Sequence, residues 1–496
     1  MADKFFWADG IADRIIKEKG DKAEYVCASG ITPSGQVHIG NFREVITTDM
    51  VVKALEAKGK KVRFIYSWDD FDRFRKVPKG VPEEYEKYLG MPISEIPSPH
   101  DDSMSYAEYN EKKFEDSLKS ALVNPVFIRQ NEMNKKCAYA EFIKVALDSV
   151  DDIKEILNKF RKESLVDSWL PIMVYCDKCK KDLTKITKID DYNVSYECEC
   201  GFGETFDIRK KGIVKLVWRV DWPARWKYED VDFEPSGIDH DVYGGSRMTG
   251  HKIAKKVFGI DGPIKQTYEW INIKGGEAFS SSSGNALSLA EVGEVYEPVV
   301  LRYLFVGIKP KSVFQISFDN DVISIYEKFD ALEKKYFDGN CNPKEKRMYE
   351  MSIVEIPKER PKRAGFKGLI NSVQIGRTEG LNDYDKIRVE KVAAWLEKYA
   401  GDDMKFEVRG KIEGKFSDKE KAALVMLKDI LREKEFDEKE LFDRFYDICE
   451  KSGLSNTEFF DACYRAIIGK SKGPRLASLI LSVGQDRIVK LIGTLK

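Results

Sequence analysis

Four cysteines lie close together in the chain with the spacing of a metal site. Cys176 and Cys179 form a C-x-x-C pair, and after 18 intervening residues Cys198 and Cys200 form a C-x-C pair. Two short-spaced pairs joined by a segment of hairpin length suit tetrahedral thiolate coordination of Zn²⁺, as in a zinc ribbon. Disulfide pairing is the alternative, which a reducing cytoplasm disfavours. We predict a structural zinc site, because four protein ligands leave no open position for catalysis.

A second candidate site lies in ITPSGQVHIGN, residues 31–41. It follows a short apolar run, EYVCAS (residues 24–29), and opens a stretch with helical periodicity, so it is expected to join a buried strand to a helix. A helix N-terminus offers free N–H groups and a positive dipole end to phosphate. His38 is expected to donate a hydrogen bond to a phosphoryl oxygen, and Gly35 and Gly40 allow close approach of a nucleotide. The segment lacks G-x-G-x-x-G spacing and a P-loop lysine, which disfavours dinucleotide binding and Walker-type chemistry.

A run of four serines forms a third candidate site. Residues 279–285 read FSSSSGN and lie between a strand-like TYEWINI and a helix-like VYEPVVLRYLF. A polar segment between two folded elements is a loop rather than an interdomain linker. Its hydroxyls, with the backbone N–H groups of Ser282, Ser283 and Gly284, are expected to cradle phosphate as a nest.

The elements that must position these residues follow from the hydrophobic pattern. The strand and helix described above are followed by a second predicted strand, KVRFIYS (residues 61–67). The three elements together form a βαβ unit, which predicts a parallel sheet. After the cysteine region, IVKLVWRV (residues 213–220) and PIKQTYEWINI (residues 263–273) are predicted as strands that resume the sheet. From about residue 322 onward the periodicity is almost entirely helical.

Composition narrows the class of protein. The 496 residues exceed one compact core, and 42% hydrophobic residues indicate a globular fold. A net charge of −1 gives no global attraction to nucleic acid or an anionic membrane, so any such contact must be local. No apolar stretch approaches bilayer length and the N-terminus lacks a signal-peptide core, so a cytoplasmic location and no membrane association are expected.

The motifs together resemble one family. TPSGQVHIGN is similar to the HIGH signature of class I aminoacyl-tRNA synthetases, with Asn41 in place of the final histidine, and FSSSSGN lies where that family carries KMSKS. Further along the chain, in the family's order, four segments resemble class I lysyl-tRNA synthetases: SWDDFDRFRKVP (67–78), VWRVDWPARW (217–226), EPSGIDHDVYGGSRMTG (234–250) and GPRLASLI (473–480). The resemblance extends over nearly the whole chain.

This resemblance implies an α/β fold with a Rossmann-type, parallel-sheet catalytic domain split by a zinc-binding insertion and followed by an all-α anticodon-binding domain. The corresponding segments are 1–170 (first half of the catalytic domain), 171–212 (zinc-ribbon-like insertion), 213–320 (second half, with the serine loop), 321–365 (stem) and 366–496 (helical domain). The element order obtained from periodicity gives the same layout.

The resemblance also implies roles for individual residues. The catalytic set is His38, Asn41, Ser282 and Ser283. The ATP-binding set is Pro33, Ser34, Gly35, His38, Gly40, Asn41, Gly237, Asp239, His240, Ser280, Ser281, Ser282 and Ser283, with Gly237 and Asp239 at the ribose and His240 near the phosphates. A lysine substrate needs a carboxylate or aromatic partner for its ammonium and an apolar wall for its methylenes. The lysine-binding candidates are Gly30, Asp69, Trp218, Asp221 and Tyr268.

One departure from the family pattern bears on rate. The two signature lysines that neutralise the triphosphate correspond here to Ala278 and Ser283. Serine hydroxyls bring no positive charge, so Lys274, another lysine or a larger share by Mg²⁺ is expected to compensate.

The implied reaction is ATP-dependent ligation of L-lysine to tRNA(Lys) through lysyl-adenylate, with Mg²⁺ on ATP and structural Zn²⁺ in the insertion. The sequence does not predict an oligomeric state. Two alternatives remain at this point: a nucleotidylyltransferase of the same superfamily that acts without tRNA, and a non-catalytic tRNA-binding paralogue, which the missing signature lysines favour.

Overall fold

The computed structural model describes residues 6–274 and 287–495, and these form two compact units. The first unit consists of Met1–Gly293, Pro298–Ile316 and Cys341–Ile356, and the second of Glu294–Glu297, Ser317–Asn340 and Pro357–Lys496. The five-segment division derived from the sequence stays a prediction.

The twelve strands in the described part of the chain, in order, are β1 Tyr25–Ile31, β2 Val62–Trp68, β3 Val126–Arg129, β4 Ile172–Val174, β5 Thr184–Asp190, β6 Asn193–Cys198, β7 Gly203–Asp207, β8 Val214–Leu216, β9 Phe233–Gly237, β10 Ile264–Tyr268, β11 Ile271–Ile273 and β12 Phe314–Ile316. The helices are α1 Trp7–Lys19, α2 Ile39–Glu56, α3 Tyr106–Ser120, α4 Gln130–Lys135, α5 Ala140–Asp148, α6 Val150–Asn158, α7 Trp218–Glu229, α8 Ser246–Lys256, α9 Leu289–Val295, α10 Pro298–Val306, α11 Asp321–Phe337, α12 Pro343–Ser352, α13 Phe366–Ile375, α14 Asp383–Lys398, α15 Asp418–Glu433, α16 Glu438–Ser452, α17 Asn456–Ile468, α18 Leu476–Val483 and α19 Gln485–Ile492.

A five-stranded parallel sheet forms the centre of the first unit, in the order β10-β9-β1-β2-β3. The predicted βαβ unit is present as β1, α2 and β2, with Tyr25 opposite Val62 and Ile31 opposite Trp68. Strand β1 is apolar because both faces of the sheet are covered, and Val26, Ala28 and Ile65 pack against the tryptophans of α7. The α/β prediction is confirmed.

Two predicted strands differ from the structure. Residues 217–220, assigned to the strand IVKLVWRV, mostly belong to α7, which begins at Trp218 directly after the short strand β8. Val, Trp and Arg alternate there like a strand, but all residues from Val220 to Trp226 are buried, so the helix is covered on several sides and shows no single apolar stripe in the sequence. Residues 263–273 form two strands rather than one, since β10 pairs with β9 and β11 pairs with β12.

The segment that carries the clustered cysteines is a small antiparallel sheet. Strands β5, β6 and β7 pair in that order, and Val194, Tyr196 and Phe206 fill its apolar side. Strand β4 pairs with β8 and so brings the chain back toward the parallel sheet. The predicted insertion of short strands between the two halves of the sheet is therefore present.

The regular secondary structure among the described residues of the second unit is α-helix, as the periodicity predicts. Helices α15 to α19 enclose an apolar core that includes Leu427, Phe445, Phe459, Ile480 and Ile488. None of the helices within residues 6–274 and 287–495 combines the length and apolar character needed to cross a bilayer.

A buried ion network holds the first helices of the second unit together. The carboxylate of Glu297 accepts hydrogen bonds from Arg388 Nε at 2.6 Å and from Arg363 Nη1 at 3.1 Å. Arg388 also binds Asp330 through both terminal nitrogens, and Arg363 reaches Glu333. Although burial disfavours its charge, the carboxylates of Glu297 and Asp330 raise the pKa of Arg388 above its ordinary value.

Replacing Arg388 by alanine should lower the free energy of unfolding by about 3–5 kcal/mol, because Glu297 would stay buried without its main counter-ion. The matched control on the same helix is Lys386→Ala, whose pair with Asp383 is exposed and screened by water, so its loss should leave the free energy of unfolding nearly unchanged. Urea unfolding of the full chain, followed by circular dichroism, measures both. Equal effects of the two variants would contradict a structural role for the network.

Candidate active site

The site lies where the strand order of the parallel sheet reverses. Strands β2 and β3 lie on one side of β1, and β9 and β10 lie on the other side. Ligands of such sheets bind outside the carboxyl ends of the strands at this point. The sequence candidates Gly30, Asp69, Gly237 and Tyr268 all lie at or directly after strand ends on this edge.

Helix α2 begins at this edge and His38 caps it. The Nδ1 atom of His38 accepts a hydrogen bond from Gly40 N at 3.1 Å, and Asn41 Oδ1 accepts one from His38 N at 3.3 Å. A Cβ atom at position 40 would lie 2.7 Å from the imidazole ring, so glycine is required there. Burial lowers the pKa of His38, which keeps the ring neutral at pH 7. Because Nδ1 accepts, the ring proton is on Nε2.

The first signature segment contacts the chain just beyond the described gap. Ile39 N donates a hydrogen bond to Leu287 O at 2.8 Å, and His38 and Ser288 form a β-bridge. Leu287 lies four residues after Ser283, the last serine of the run. The predicted phosphate-binding serines, Ser280 to Ser283, lie outside the described residues, as does Ala278.

The other predicted ATP-binding residues surround the same edge. Pro33, Ser34 and Gly35 form the connection from β1 to α2, where Tyr106 donates a hydrogen bond to Ser34 O at 3.1 Å. In the turn after β9, a Cβ atom on Gly237 would lie 2.5 Å from Asp239 Oδ1, so this glycine makes room for the carboxylate.

His240 is fixed by a hydrogen bond between its Nδ1 atom and Ser246 Oγ at 2.7 Å. Its ring lies 5.8 Å from that of Trp222 and lines the cavity described next.

A cavity of about 80 Å³ opens at the strand ends. Three tryptophans of α7, at positions 218, 222 and 226, form one wall, and Ala28, Ile65 and Ile128 add apolar surface. Trp218 and Trp222 are stacked with ring centres 5.1 Å apart. The predicted residues Gly30, Asp69, Trp218 and His240 line this cavity.

Asp69 and Asp221, two of the lysine-binding candidates, face an arginine. Arg225 Nη1 donates to Asp69 Oδ1 at 2.5 Å, and Arg225 Nε lies 3.3 Å from Asp221 Oδ2. All three side chains are buried. Although burial opposes it, these carboxylates raise the pKa of Arg225 above its ordinary value. One positive charge is thus shared by the two aspartates within the protein.

Glu44 on α2 was not identified from the sequence, and its side chain lines the cavity. Its carboxylate accepts hydrogen bonds from Gly30 N at 3.0 Å and from Tyr268 Oη at 2.7 Å. Burial raises the pKa of Glu44 to about 8 despite these hydrogen bonds. Gly30 and Tyr268, both predicted from the sequence, thus hold the Glu44 carboxylate in position at the cavity.

Glu234 on β9 is the second carboxylate that the sequence did not reveal. Its Oε2 atom accepts hydrogen bonds from the indoles of Trp222 at 3.1 Å and Trp226 at 2.5 Å. Burial raises the pKa of Glu234 as well. Two carboxylates with raised pKa values beside an apolar wall suit a long side chain that ends in a cation.

A signal for Glu44 was present in the sequence. It lies three residues after Asn41, hence on the same helix face as that predicted catalytic residue. Glu234 had a weaker signal, since a single acidic residue in the buried strand FEPSG stands out only when the strand is known to have both faces covered.

The four clustered cysteines form a compact group apart from this site. Their Sγ atoms all lie within 4.8 Å of one another. The Cys176–Cys200 and Cys179–Cys198 pairs have Sγ distances of 3.7 and 3.6 Å. A tetrahedron with Zn–S bonds of about 2.3 Å has an edge of about 3.8 Å, so the donor set fits Zn²⁺.

Comparison with known proteins gives a consistent result. The family model described as tRNA synthetases class I (K) matches residues 5–356. A lysine–tRNA ligase of Borreliella burgdorferi is 43% identical over 98% of this chain and 98% of its own length. Lysine–tRNA ligases of Borrelia garinii subsp. bavariensis and Thermococcus kodakarensis are 42% and 39% identical, with the same coverage of both chains.

Proposed function

This chain belongs to the class I (K) family of tRNA synthetases, and from that premise we propose that it joins L-lysine to tRNA(Lys) at the expense of ATP. The observation that carries the proposal is the cavity at the sheet edge, which combines an apolar wall with two carboxylates of raised pKa. The full-length similarity to proteins named lysine–tRNA ligase supports it.

Lysine would enter the cavity with its ammonium group first. Its methylenes pack on Trp218 and Trp222, and the ammonium donates to Glu44 and Glu234. Tyr268 and Gly30 orient the Glu44 carboxylate. In this assignment Asp69 and Asp221 act through Arg225, which they hold at the cavity wall, rather than by direct contact with the ammonium.

ATP would lie across the first turn of α2 as its Mg²⁺ complex. The positive end of the α2 dipole and the Nε2 proton of His38 stabilise the phosphates, with Asn41 holding the backbone of the cap. Gly237 and Asp239 would take the ribose, and His240 the phosphate side. The assignments of Pro33, Ser34, Gly35, Gly40 and Ser280 to Ser283 to this site stay proposals.

The reaction has two displacement steps. A lysine carboxylate oxygen attacks the α-phosphorus of ATP, the bond to the bridging oxygen breaks, and pyrophosphate leaves. A hydroxyl of the terminal ribose of tRNA then attacks the lysyl carbonyl carbon, and AMP leaves with the proton passing to solvent. The protein contributes orientation and charge stabilisation rather than a covalent intermediate.

Lysine-dependent exchange of pyrophosphate into ATP, measured with each of the twenty amino acids and with tRNA present, tests the proposal. We expect exchange with lysine and transfer of labelled lysine to tRNA(Lys). Exchange with a different amino acid, or none at all, would overturn it.

The helices of the second unit are proposed to contact the anticodon of the tRNA. The proposed location is the cytoplasm, where cysteines stay reduced.

The cysteine group is proposed to hold one structural Zn²⁺, which would fix the turn between C-x-x-C and the β6–β7 hairpin. We expect one Zn²⁺ per chain and a value near zero after Cys198→Ala, because three thiolates bind far more weakly than four. The control is Cys449→Ala, which replaces a buried cysteine of the second unit. The zinc content of this variant should equal that of wild type. Elemental analysis of purified protein measures both. Full zinc in the Cys198 variant would exclude this ligand set.

A further inference from the structure

An exposed tyrosine lies on a closely packed loop after the turn that holds Asp239 and His240. Tyr243 is 84% exposed, more than any other large hydrophobic side chain within residues 6–274 and 287–495. A Cβ atom on Gly244, where φ is +72°, would lie 2.8 Å from Phe160 Cβ, so the loop packs tightly on the end of α6. The Phe160 and Tyr243 rings meet edge to face with centres 5.3 Å apart. The tyrosine ring is therefore held in place while it stays open to solvent.

Arg219 on α7 is fixed against this loop. Its Nη1 atom donates hydrogen bonds to Gly244 O and to Thr249 Oγ1, both at 3.0 Å. Neither acceptor carries a charge, so these hydrogen bonds do not balance the guanidinium. Burial and the charge of nearby Arg161 lower the pKa of Arg219. Two guanidinium groups that repel each other at a surface are typical of a site for an external anion.

Arg161 and Lys252 add positive charge beside the two rings. Arg161 directly follows Phe160, and its Nε atom donates to the backbone oxygen of Glu163 at 3.2 Å. Lys252 Nζ lies 6.0 Å from the centre of the Phe160 ring. In the part of the chain that the structure describes, none of the three cations forms an ion pair with a carboxylate.

The acidic residue of the loop has a partner elsewhere. Asp241 accepts a hydrogen bond from Thr267 Oγ1 on β10. The surface around Tyr243 thus combines an open aromatic face with three cations that lack an ion pair. Such a surface attracts phosphate and offers a base a ring to stack on.

We propose that the surface around Tyr243 binds the single-stranded 3′ end of tRNA. This surface, the basic aromatic patch, is formed by Phe160, Arg161, Arg219, Tyr243 and Lys252. The inference rests on the proposed function and adds the place where the acceptor end of the RNA is held. The ring of Tyr243 stacks on a base, and the three cations contact the phosphates next to it.

Position along the chain selects the 3′ end over other parts of the RNA. Tyr243 is three residues from His240, which is proposed to lie on the phosphate side of ATP, and three residues from Ser246, which binds His240. Three residues span at most about 11 Å. A terminal ribose that reaches lysyl-adenylate therefore brings the nucleotides before it within reach of the Tyr243 ring.

A second protein copy fits the basic aromatic patch poorly. The exposed hydrophobic side chains of the loop are Tyr243 and Val242, whereas a stable protein interface buries about 800 Å² on each partner. Three cations around one ring match the alternation of phosphates and bases in a nucleic acid strand.

The first measurement is a titration of the full chain with a tRNA(Lys) transcript at several salt concentrations. Tyr243→Ala should raise the Kd for the transcript about 5- to 150-fold, because one stacked base is lost. Tyr243→Phe keeps the ring and should stay within about threefold of wild type. Arg161→Gln should lower the slope of log Kd against log salt by about one.

The second measurement uses a transcript that lacks its single-stranded 3′ end. Wild type and Tyr243→Ala should bind this shortened RNA with Kd values within about twofold of each other, because the stacked base is absent. The matched controls are Val126→Ala, at an exposed valine of the edge strand β3, and Lys119→Gln, at an exposed lysine of α3. Neither control should change the Kd for the full transcript or its dependence on salt.

The outcomes separate this proposal from the proposed function. A wild-type chain that does not bind the full transcript would overturn both. Normal binding by wild type with an unchanged Kd for Tyr243→Ala would overturn the patch alone, and so would equal losses in Tyr243→Ala and Tyr243→Phe. A loss in Tyr243→Ala that persists with the shortened RNA would exclude the 3′ end.

Two further readouts identify other occupants of the patch. A rise in the KM for ATP in Tyr243→Ala as large as the rise in the Kd for RNA would assign the ring to the nucleotide substrate. A change in sedimentation of the free protein would assign it to contact between copies. Either result would overturn the proposal.

Discussion

Glu44→Gln is expected to weaken lysine binding by about 100-fold, because an amide cannot balance the ammonium charge beside the apolar wall of the cavity. The loss should appear in the Kd for lysine from equilibrium dialysis and in the KM for lysine in exchange assays, with a smaller effect on the KM for ATP. Glutamine keeps the shape of the side chain, so the cavity should persist.

The control for this variant is Glu111→Gln. Glu111 is a buried glutamate whose pKa burial also raises to about 8, but it pairs with Arg129 and does not line the cavity. Its replacement should affect stability and leave lysine binding within about twofold of wild type, since it touches no part of the cavity. If Glu44→Gln binds lysine normally, the ammonium lies elsewhere.

The raised pKa of Glu44 also fixes the direction of a pH effect. With a pKa of about 8 in the empty cavity, the carboxyl is mostly protonated at pH 7 and must lose its proton to accept an ammonium group. Lysine affinity of wild type should therefore rise with pH between 6.5 and 8, by up to about tenfold per unit, and level off above. In Glu44→Gln this rise should be absent or reduced to the part contributed by Glu234.

His38→Asn is expected to slow exchange of pyrophosphate into ATP by about 100- to 1000-fold, the effect of losing one hydrogen-bond donor to transition-state charge. Asparagine is a preferred N-cap residue, so the first turn of α2 should persist. His38→Ala removes both the donor and the cap, and should add a loss of about 1 kcal/mol in stability.

Comparison of the two His38 variants decides between a catalytic and a structural role. Equal slow rates with unequal stabilities support donation from Nε2. If His38→Asn keeps more than a third of the wild-type rate, the histidine acts as a cap alone. Rapid single-turnover measurement of adenylate formation, with saturating lysine and ATP, isolates the step.

The predictable part of the molecule was its local order. Strand β1, the turn at residues 31–38 and helix α2 were each assigned correctly. Each has a local signal, namely an apolar run, a cluster of turn-forming residues or a helical period, that depends on one element only. The cysteine group was equally accessible because its ligands lie close in sequence.

The charge pairing inside the site was not predictable in the same way. Asp221 and Arg225 become neighbours only because α7 is a helix, and the sequence had suggested a strand at its start. Asp69 meets Arg225 from the residue after β2, 156 residues away in the chain. Tertiary contacts decide which carboxylate pairs with an arginine and which stays available to a substrate. Local sequence periodicity contains no information about these contacts.

The size of the cavity has a consequence for near-cognate amino acids. Ornithine is one methylene shorter than lysine, so its charge would stop short of the glutamates while its stem leaves part of the tryptophan wall uncovered. A difference of one methylene typically separates substrates by only about 10- to 200-fold. Arginine carries the same charge, but its planar guanidinium presents five N–H donors in a fixed fork, a shape that differs from the compact ammonium group of lysine. Misincorporation, if it occurs, should come from the shorter homologue.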